Sequence, residues 1–233
     1  MDFFNHTNKE LLEAEFENNN ITDYSIINSN IDELICNGQV WLRTTINDSN
    51  CNESVFNTTK FSDCTFFRSS MVNSKFTNCS FLQSNFSGIS LIKIHFENTR
   101  LKEHLFDSCT MQRAIFKKVI FENSTMKDFE AVYADLSNTI FVNCNLELNY
   151  GSGANGFSGS KLEDCLFINC NFTGYPLRGS NLINCTFSNC NGEITDDAVS
   201  KNSSGLSLFP SSNPKVLQNI ELATRLINEV KNV

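Results

Sequence analysis

Between Phe56 and Leu146 an apolar residue returns at every fifth position, with polar or small residues filling the intervals. The series is Phe56, Phe61, Phe66, Met71, Phe76, Phe81, Phe86, Leu91, Phe96, Leu101, Phe106, Met111, Phe116, Phe121, Met126, Ala131, Leu136, Phe141 and Leu146. Two residues before most of these centres stands a small side chain, as at Ser54, Thr59, Cys64, Ser74, Cys79, Ser84 and Cys109. A helix repeats near 3.6 residues and a strand at 2, so neither alone produces a period of five. A fixed short period is the mark of a solenoid, in which each unit buries its apolar residue only by stacking on its neighbours.

The same phase extends upstream through Ile21, Ile26, Ile31, Cys36, Trp41, Ile46 and Cys51. There the small residue is often replaced (Tyr24, Leu34, Gln39), which predicts degenerate early coils over residues 19–55. Thr7-Asn8-Lys9-Glu10 matches a capping box ahead of Leu11, Leu12, Ala14 and Phe16, and predicts a short N-terminal helix capping the first coil. Leu11 and Phe16 also share the five-residue phase, so an early coil is the alternative. At Glu147–Gly156 the phase breaks, and Phe157, Leu162, Phe167, Phe172, Leu177, Leu182 and Phe187 follow one residue out of step. One extra residue is expected there, absorbed by a Gly-rich segment that is either a bulge or a protruding loop.

After Cys190 the repeat stops, and Gly192–Ser212 reads as polar loop. Asn213-Pro214 then supplies an N-cap and a first-turn proline. Val216, Leu217, Ile220, Ala223, Leu226, Ile227 and Val230 make an apolar stripe of helical period. The expected division is an N-terminal cap over 1–18, a solenoid over 19–192, and a linker with a capping helix over 193–233.

The triplets Cys64-Thr65-Phe66, Ser74-Lys75-Phe76, Cys79-Ser80-Phe81 and Ser84-Asn85-Phe86 resemble the pentapeptide repeat family, whose unit reads small, any, Leu or Phe, any, any. The resemblance implies an all-β fold, a right-handed quadrilateral β-helix with four pentapeptides per coil. Centres 20 apart then share a face. Phe56, Phe76, Phe96, Phe116 and Leu136 form one column, Phe61, Phe81, Leu101, Phe121 and Phe141 a second, Phe66, Phe86, Phe106, Met126 and Leu146 a third. Met71, Leu91, Met111 and Ala131 form the fourth, and a loop at 147–156 would stand on that fourth side.

Composition sharpens this picture at three points. Phe occurs 21 times and Trp once, as a repeated slot of fixed size demands. Gly and Pro are scarce at 10 and 3, so the corners are expected to be turned by Asn, Ser, Asp and Thr. The net charge of −8 divides into −8 over residues 1–65, +5 over 66–127 and −5 over 128–233, which is not the balance of a nucleic-acid binder. No apolar run approaches the roughly 18 residues of a membrane span. Met1–Asn20 lacks the basic flank and apolar core of a signal peptide, so a cytoplasmic protein is expected.

The ten cysteines fall at centres (Cys36, Cys51) or two before them (Cys64, Cys79, Cys109, Cys144, Cys165, Cys170, Cys185, Cys190), so all are expected to point inward as core thiols. With a one-residue slip, Cys144, Cys165 and Cys185 would stack in one column. His6, His95 and His104 are scattered, which argues against a zinc site. No phosphate-cradling Gly loop or nucleophile elbow is present, so neither a cofactor nor catalysis is expected. Lys93, Arg100, Lys102, Arg113, Lys117, Lys118 and Lys127 take outward positions on all four faces, with Glu97–Lys117 and Lys102–Glu122 as expected cross-coil pairs.

Function is therefore expected to lie on the surface, in binding another protein. Candidate partner-binding residues are Glu147, Asn149, Tyr150 and Asn155 at the phase break, with Lys93 and Arg113 from the basic belt. Val216, Ile220, Ala223, Ile227 and Val230 are the candidate capping or homodimer-forming helix face. The resemblance extends to the quinolone-resistance and toxin-immunity branches of the family, which implies DNA gyrase or topoisomerase IV as partner through mimicry of duplex DNA. A bacterial scaffold, adaptor or delivered effector is the alternative.

Overall fold

The computed structural model describes residues 2–5, 20–149, 151–193 and 199–201. They form a parallel β-solenoid of about nine turns, with no helix among the described residues. Nearly every strand is three residues long, and Lys75–Thr77, Ser80–Leu82 and Asn85–Ser87 make three consecutive sides of one coil. Their centres are buried and their flanks half-buried or exposed, the out–in–out alternation of a pleated strand. Two corner residues separate successive strands, and three plus two gives the period of five.

Coils pair in parallel at an offset of 20 residues. Phe76 stands between Phe56 and Phe96 on the first face, Phe81 between Phe61 and Leu101 on the second, and Phe86 between Phe66 and Phe106 on the third. These faces are sheets of nine, nine and ten strands. Among the described residues the fourth face has no such strands. Single bridges join Asn30, Asn50, Ser70, Ser90, Thr110, Glu130 and Gly156, and tight turns such as Ser74 N–H to Met71 C=O (3.2 Å) follow.

The corner residue two after each centre is left-handed, at φ values such as 58° for Asn73 and 55° for Asn98. Asn and Asp fill many corners, as expected, but Arg43, Arg68, Lys93, Arg113, Lys118, Glu33, Glu53, Glu103 and Tyr133 adopt the same conformation. A left-handed non-glycine residue costs on the order of 1 kcal/mol or more. The stack offsets it, because each corner N–H donates to a carbonyl one coil on, as Asn73 does to Ile92 (3.0 Å).

The small residue two before each centre has a polar function beyond its size. Ser54 Oγ accepts from Leu34 N–H (3.0 Å), Ser74 Oγ accepts from Ser54 N–H (3.0 Å), and Ser74 Oγ donates to Cys51 C=O (2.8 Å). Hydroxyls thus close the buried main-chain groups that the corners leave open. Cysteine substitutes with a weaker donor, as when Cys64 Sγ donates to Trp41 C=O (3.4 Å). Above this layer the phenyl rings pile at the coil spacing: Phe56–Phe76 at 4.6 Å and 4°, Phe61–Phe81 at 4.5 Å and 7°. Where the centre is small, at Ala131, Phe129 occupies the place two before it and meets Phe157 edge-on at 4.9 Å.

The phase break differs from its expectation. Leu136 pairs with Leu162, Phe141 with Phe167 and Leu146 with Phe172, an offset of 26 where other coils show 20. Six residues are inserted, not one: a whole pentapeptide plus one, which leaves the same phase in the sequence. The cysteine columns change accordingly. Cys144 lies beneath Cys170, whose following residue Asn171 donates N–H to Cys144 C=O (2.9 Å), and Cys165 belongs instead to the column of Thr139 and Cys185.

At the ends, Asp2–Asn5 is a strand paired in parallel with Tyr24–Ile27, while the capping box and the stretch through Phe16 lie outside the described residues. Val199–Lys201 pairs with Asn181–Ile183 on the first face, so a strand lies within the segment expected to be loop. The expected C-terminal helix lies outside the described residues.

Candidate interaction surface

The centre positions are filled by buried side chains, so the chemistry available to a partner is on the outside. All ten cysteines are buried thiols. Burial pushes Cys64 up to about 11 and Cys79 up to about 12, far from nucleophilic character at neutral pH. His104, in a small-residue position, is also fully buried, among the rings of Phe81, Phe86 and Phe106, and neither ring nitrogen has a hydrogen-bond partner. Among the described residues no group of three or more His, Cys, Asp or Glu side chains is placed to hold a metal ion.

The candidate residues border one face from its two edges. The fourth face presents half-buried side chains, the small Ser70, Ser90 and Thr110 in one column and the larger Val72, Ile92 and Gln112 in the next. Along the edge it shares with the first face, Lys93, Arg113 and Tyr133 follow one another up successive left-handed corners, all exposed. Tyr133 is 68% exposed and its ring lies against Gly159, where a Cβ would sit 2.6 Å from ring carbon Cε1. Sequence reasoning missed Tyr133, although its place directly after Lys93 and Arg113 at intervals of 20 was visible.

The inserted loop stands at the other edge, between the third and fourth faces. Asn149 anchors its base, donating from its backbone N–H (2.7 Å) and from Nδ2 (2.6 Å) to the Asp128 carboxylate. Burial alone would raise the Asp128 pKa, but these hydrogen bonds outweigh it and hold the carboxyl below its usual range. Gly151, Ser152, Gly153 and Asn155 are exposed, while Glu147 lies half-buried on the third face. Gly174, one coil on, must be glycine: at φ 73° its Cβ would fall 2.0 Å from the Leu148 carbonyl oxygen. Tyr150 lies outside the described residues, as do Val216, Ile220, Ala223, Ile227 and Val230.

Surface charges are interleaved. Glu97 pairs with Lys117 as expected (3.4 Å), and that lysine holds the Glu97 carboxyl below its usual range. The other expected pair is not formed. Lys102 and Glu122 are register partners, but Glu122 turns to Arg100 across the strand, because the longer guanidinium reaches it within a nearly dry part of the second face. Arg43 clamps Asp23 with two bonds of 2.6 and 2.7 Å, and Arg68 meets Asp48 at 2.6 Å. Along the described corners, carboxylates occupy at most two successive coils, as at Glu33 and Glu53.

The pentapeptide repeat family model matches residues 157–191, with eight copies. That match falls on the coils above the insertion, and the coils below it carry the same five-residue geometry. Residues 157–191 thus match pentapeptide repeats in sequence. No curated protein matches it in sequence. Among solved structures the chain is similar to HetL, a pentapeptide repeat protein involved in heterocyst differentiation regulation from the cyanobacterium Nostoc sp. strain PCC 7120, at 12% identity over 85% of this chain and 95% of HetL, with a TM-score of 0.46. It is also similar to QnrB1, a plasmid-mediated fluoroquinolone resistance protein, at 12% identity over 91% of this chain and 98% of QnrB1, TM-score 0.44. The Agl-KA catalytic domain matches at 13% identity over 81% of this chain and 46% of that one, TM-score 0.44. Likenesses at this level carry no functional argument.

Proposed function

We propose that this β-solenoid is a pentapeptide repeat protein acting as a non-enzymatic, cytoplasmic protein-interaction module that takes its partner along the fourth face. The partner lies between the Lys93–Arg113–Tyr133 ridge and the loop from Glu147 to Asn155. The observation that carries the reading is Tyr133. A bulky aromatic held 68% exposed at a left-handed corner, in line with two cations, is costly to the fold and suited to an interface anchor. No cofactor or nucleic acid is required. A photo-crosslinking residue at position 133 should capture a discrete protein in the cell of origin, and the same residue at position 85, on the third face, should not. Equal capture at both positions would contradict the assignment.

The narrower reading is a DNA mimic that occupies the DNA site of gyrase or topoisomerase IV. It is favoured by the net charge of −8 on a rod of stacked coils, and opposed by the interleaving of cations with carboxylates along the corners. A supercoiling assay with and without a fluoroquinolone separates the two. The fourth-face reading expects neither inhibition nor protection at micromolar protein, and either effect would replace it with the mimic.

A further inference from the structure

The second face is divided along its length. In its lower coils the outward positions are open: Lys60 is exposed, Ser80 half-buried, and Leu82 is 40% exposed. Higher up, from Ile120 onward, two adjacent outward columns turn mostly aliphatic and lose much of their exposure. One runs Arg100, Ile120, Ile140, Leu166, Thr186, the other Lys102, Glu122, Val142, Ile168, Ser188. Ile120, Ile140 and Leu166 are 8%, 6% and 5% exposed and form an apolar cluster separate from the solenoid core, with Val142 and Ile168 packed against it. Aliphatic side chains at equivalent outward positions of the first face, Ile35, Val55 and Ile115, are 55%, 39% and 41% exposed. Even Thr186 and Glu122, polar and outward, are only 3% and 9% exposed. A flat solenoid face offers its outward side chains no such shelter, so this half of the second face requires a second layer.

We propose that the layer is the chain's own C-terminal segment, residues 214–230, laid along the upper second face through the stripe of Val216, Ile220, Ala223, Ile227 and Val230. Four observations select this occupant. First, the buried outward positions from Ile120 to Thr186 span three coil steps, about 14 Å at strand spacing. A 17-residue helix is about 25 Å long, enough to cover them. Second, Val199–Lys201 is the first-face strand of the topmost coil, and the path of the solenoid leads from the first face to the second. The chain therefore leaves Lys201 beside the upper second face, with 12 residues before Pro214 to turn, a reach of roughly 40 Å.

Third, the other segments cannot do it. Residues 6–19 join Asn5 to Asn20 at the opposite end, and Thr186 lies eight coil steps above Asn20 on this face, about 38 Å. Fourteen residues, at most about 48 Å in all, cannot reach that far and return. Residues 194–198 are too few. Fourth, the sequence of 214–230 presents one apolar stripe, while Gln218, Glu221, Arg225 and Glu229 take other positions of the helical period and would remain in water. This use of the segment is lateral. It replaces both a cap on the open end of the prism and an end-to-end contact with a second copy, and it leaves the fourth face uncovered.

Isoleucine methyl NMR on the full-length protein with a soluble paramagnetic probe tests this directly. In the unmodified chain the methyls of Ile120, Ile140 and Ile168 should be protected like that of core Ile46, should show contacts to Ile220 and Ile227, and should do so in a monomer by light scattering. The double variant Ile220→Asp, Ile227→Asp should raise the probe effect at Ile120 and Ile140 several-fold, to the level of Ile115, while Ile46 stays protected and reports that the solenoid is folded. Methyls of Ile120 and Ile140 as accessible as Ile115 in the unmodified protein would overturn the proposal. So would protection that the double variant leaves unchanged, or protection that appears only in a dimer with contacts between copies.

Discussion

At the residue scale the repeat works because each of its five positions has one task. The centre fills the shaft, its flanks meet solvent, the corner turns left-handed, and the small residue closes main-chain hydrogen bonds. Ser74 shows the last task most plainly. Ser74→Ala would leave Ser54 N–H and Cys51 C=O without their side-chain partner, and should cost roughly 1–3 kcal/mol in chemical denaturation. His104 departs from the pattern, standing where Ser84 and Ser124 stand one coil to either side. Burial lowers its pKa from the ordinary 6.5 to about 3. The unfolded chain takes up this proton below about pH 6.5 and the folded chain refuses it. Stability from this site is therefore complete above that pH and drains as the pH falls, by ~1.4 kcal/mol per unit. Denaturation free energies between pH 6.5 and 5 should show this slope, and His104→Ser should remove its share, leaving the smaller contribution of the same sign from His95, whose pKa burial also lowers. An unchanged slope in that variant would place the proton elsewhere.

At the scale of elements, the inserted loop is the feature that divides the molecule. Deleting Asn149–Ala154 removes six residues and restores an offset of 20 between Leu136 and the leucine now at 162. The shortened chain should keep its strand circular dichroism and melt cooperatively. Had the insertion been a single residue, the same deletion would remove a side of the prism and rotate every later coil by one face, so a collapse of cooperativity would contradict the assignment. This insertion also marks where the sequence stops being legible. Period and phase place every centre from Ile21 to Phe187 and all ten cysteines, because burial repeats with the backbone. Phase is blind to whole units, so six extra residues read as one, and the cysteine columns were misassigned by one face. The corners were half legible. Asn and Asp announce a left-handed turn, whereas Arg113 or Tyr133 adopts one only because the stack imposes it. The Arg100–Glu122 pair depends on side-chain reach across a strand, which register alone does not specify.

At the scale of the whole molecule, each coil rests on the coils on either side, and a loss inside the shaft has nowhere to relax. Phe86 lies at mid-stack between Phe66 at 4.7 Å and Phe106 at 5.3 Å, with coils above and below fixing its cavity. A rod of this kind presents four long faces without rearranging its core. One face can therefore be closed by the chain's own end while another remains available to a partner. The candidate surface was only partly legible for the same reason. Lys93 and Arg113 were visible as outward cations, but their alignment with Tyr133 on one edge emerges only when the coils are stacked. The most direct test of the stacked arrangement compares Phe86→Ala with Ser87→Ala by denaturant titration. The first should lose roughly 3–5 kcal/mol as an unrelaxed core cavity, and the second, one position on and facing outward, should stay within about 0.5 kcal/mol of the unmodified protein. Comparable losses at the two positions would contradict the five-residue register on which the fold rests.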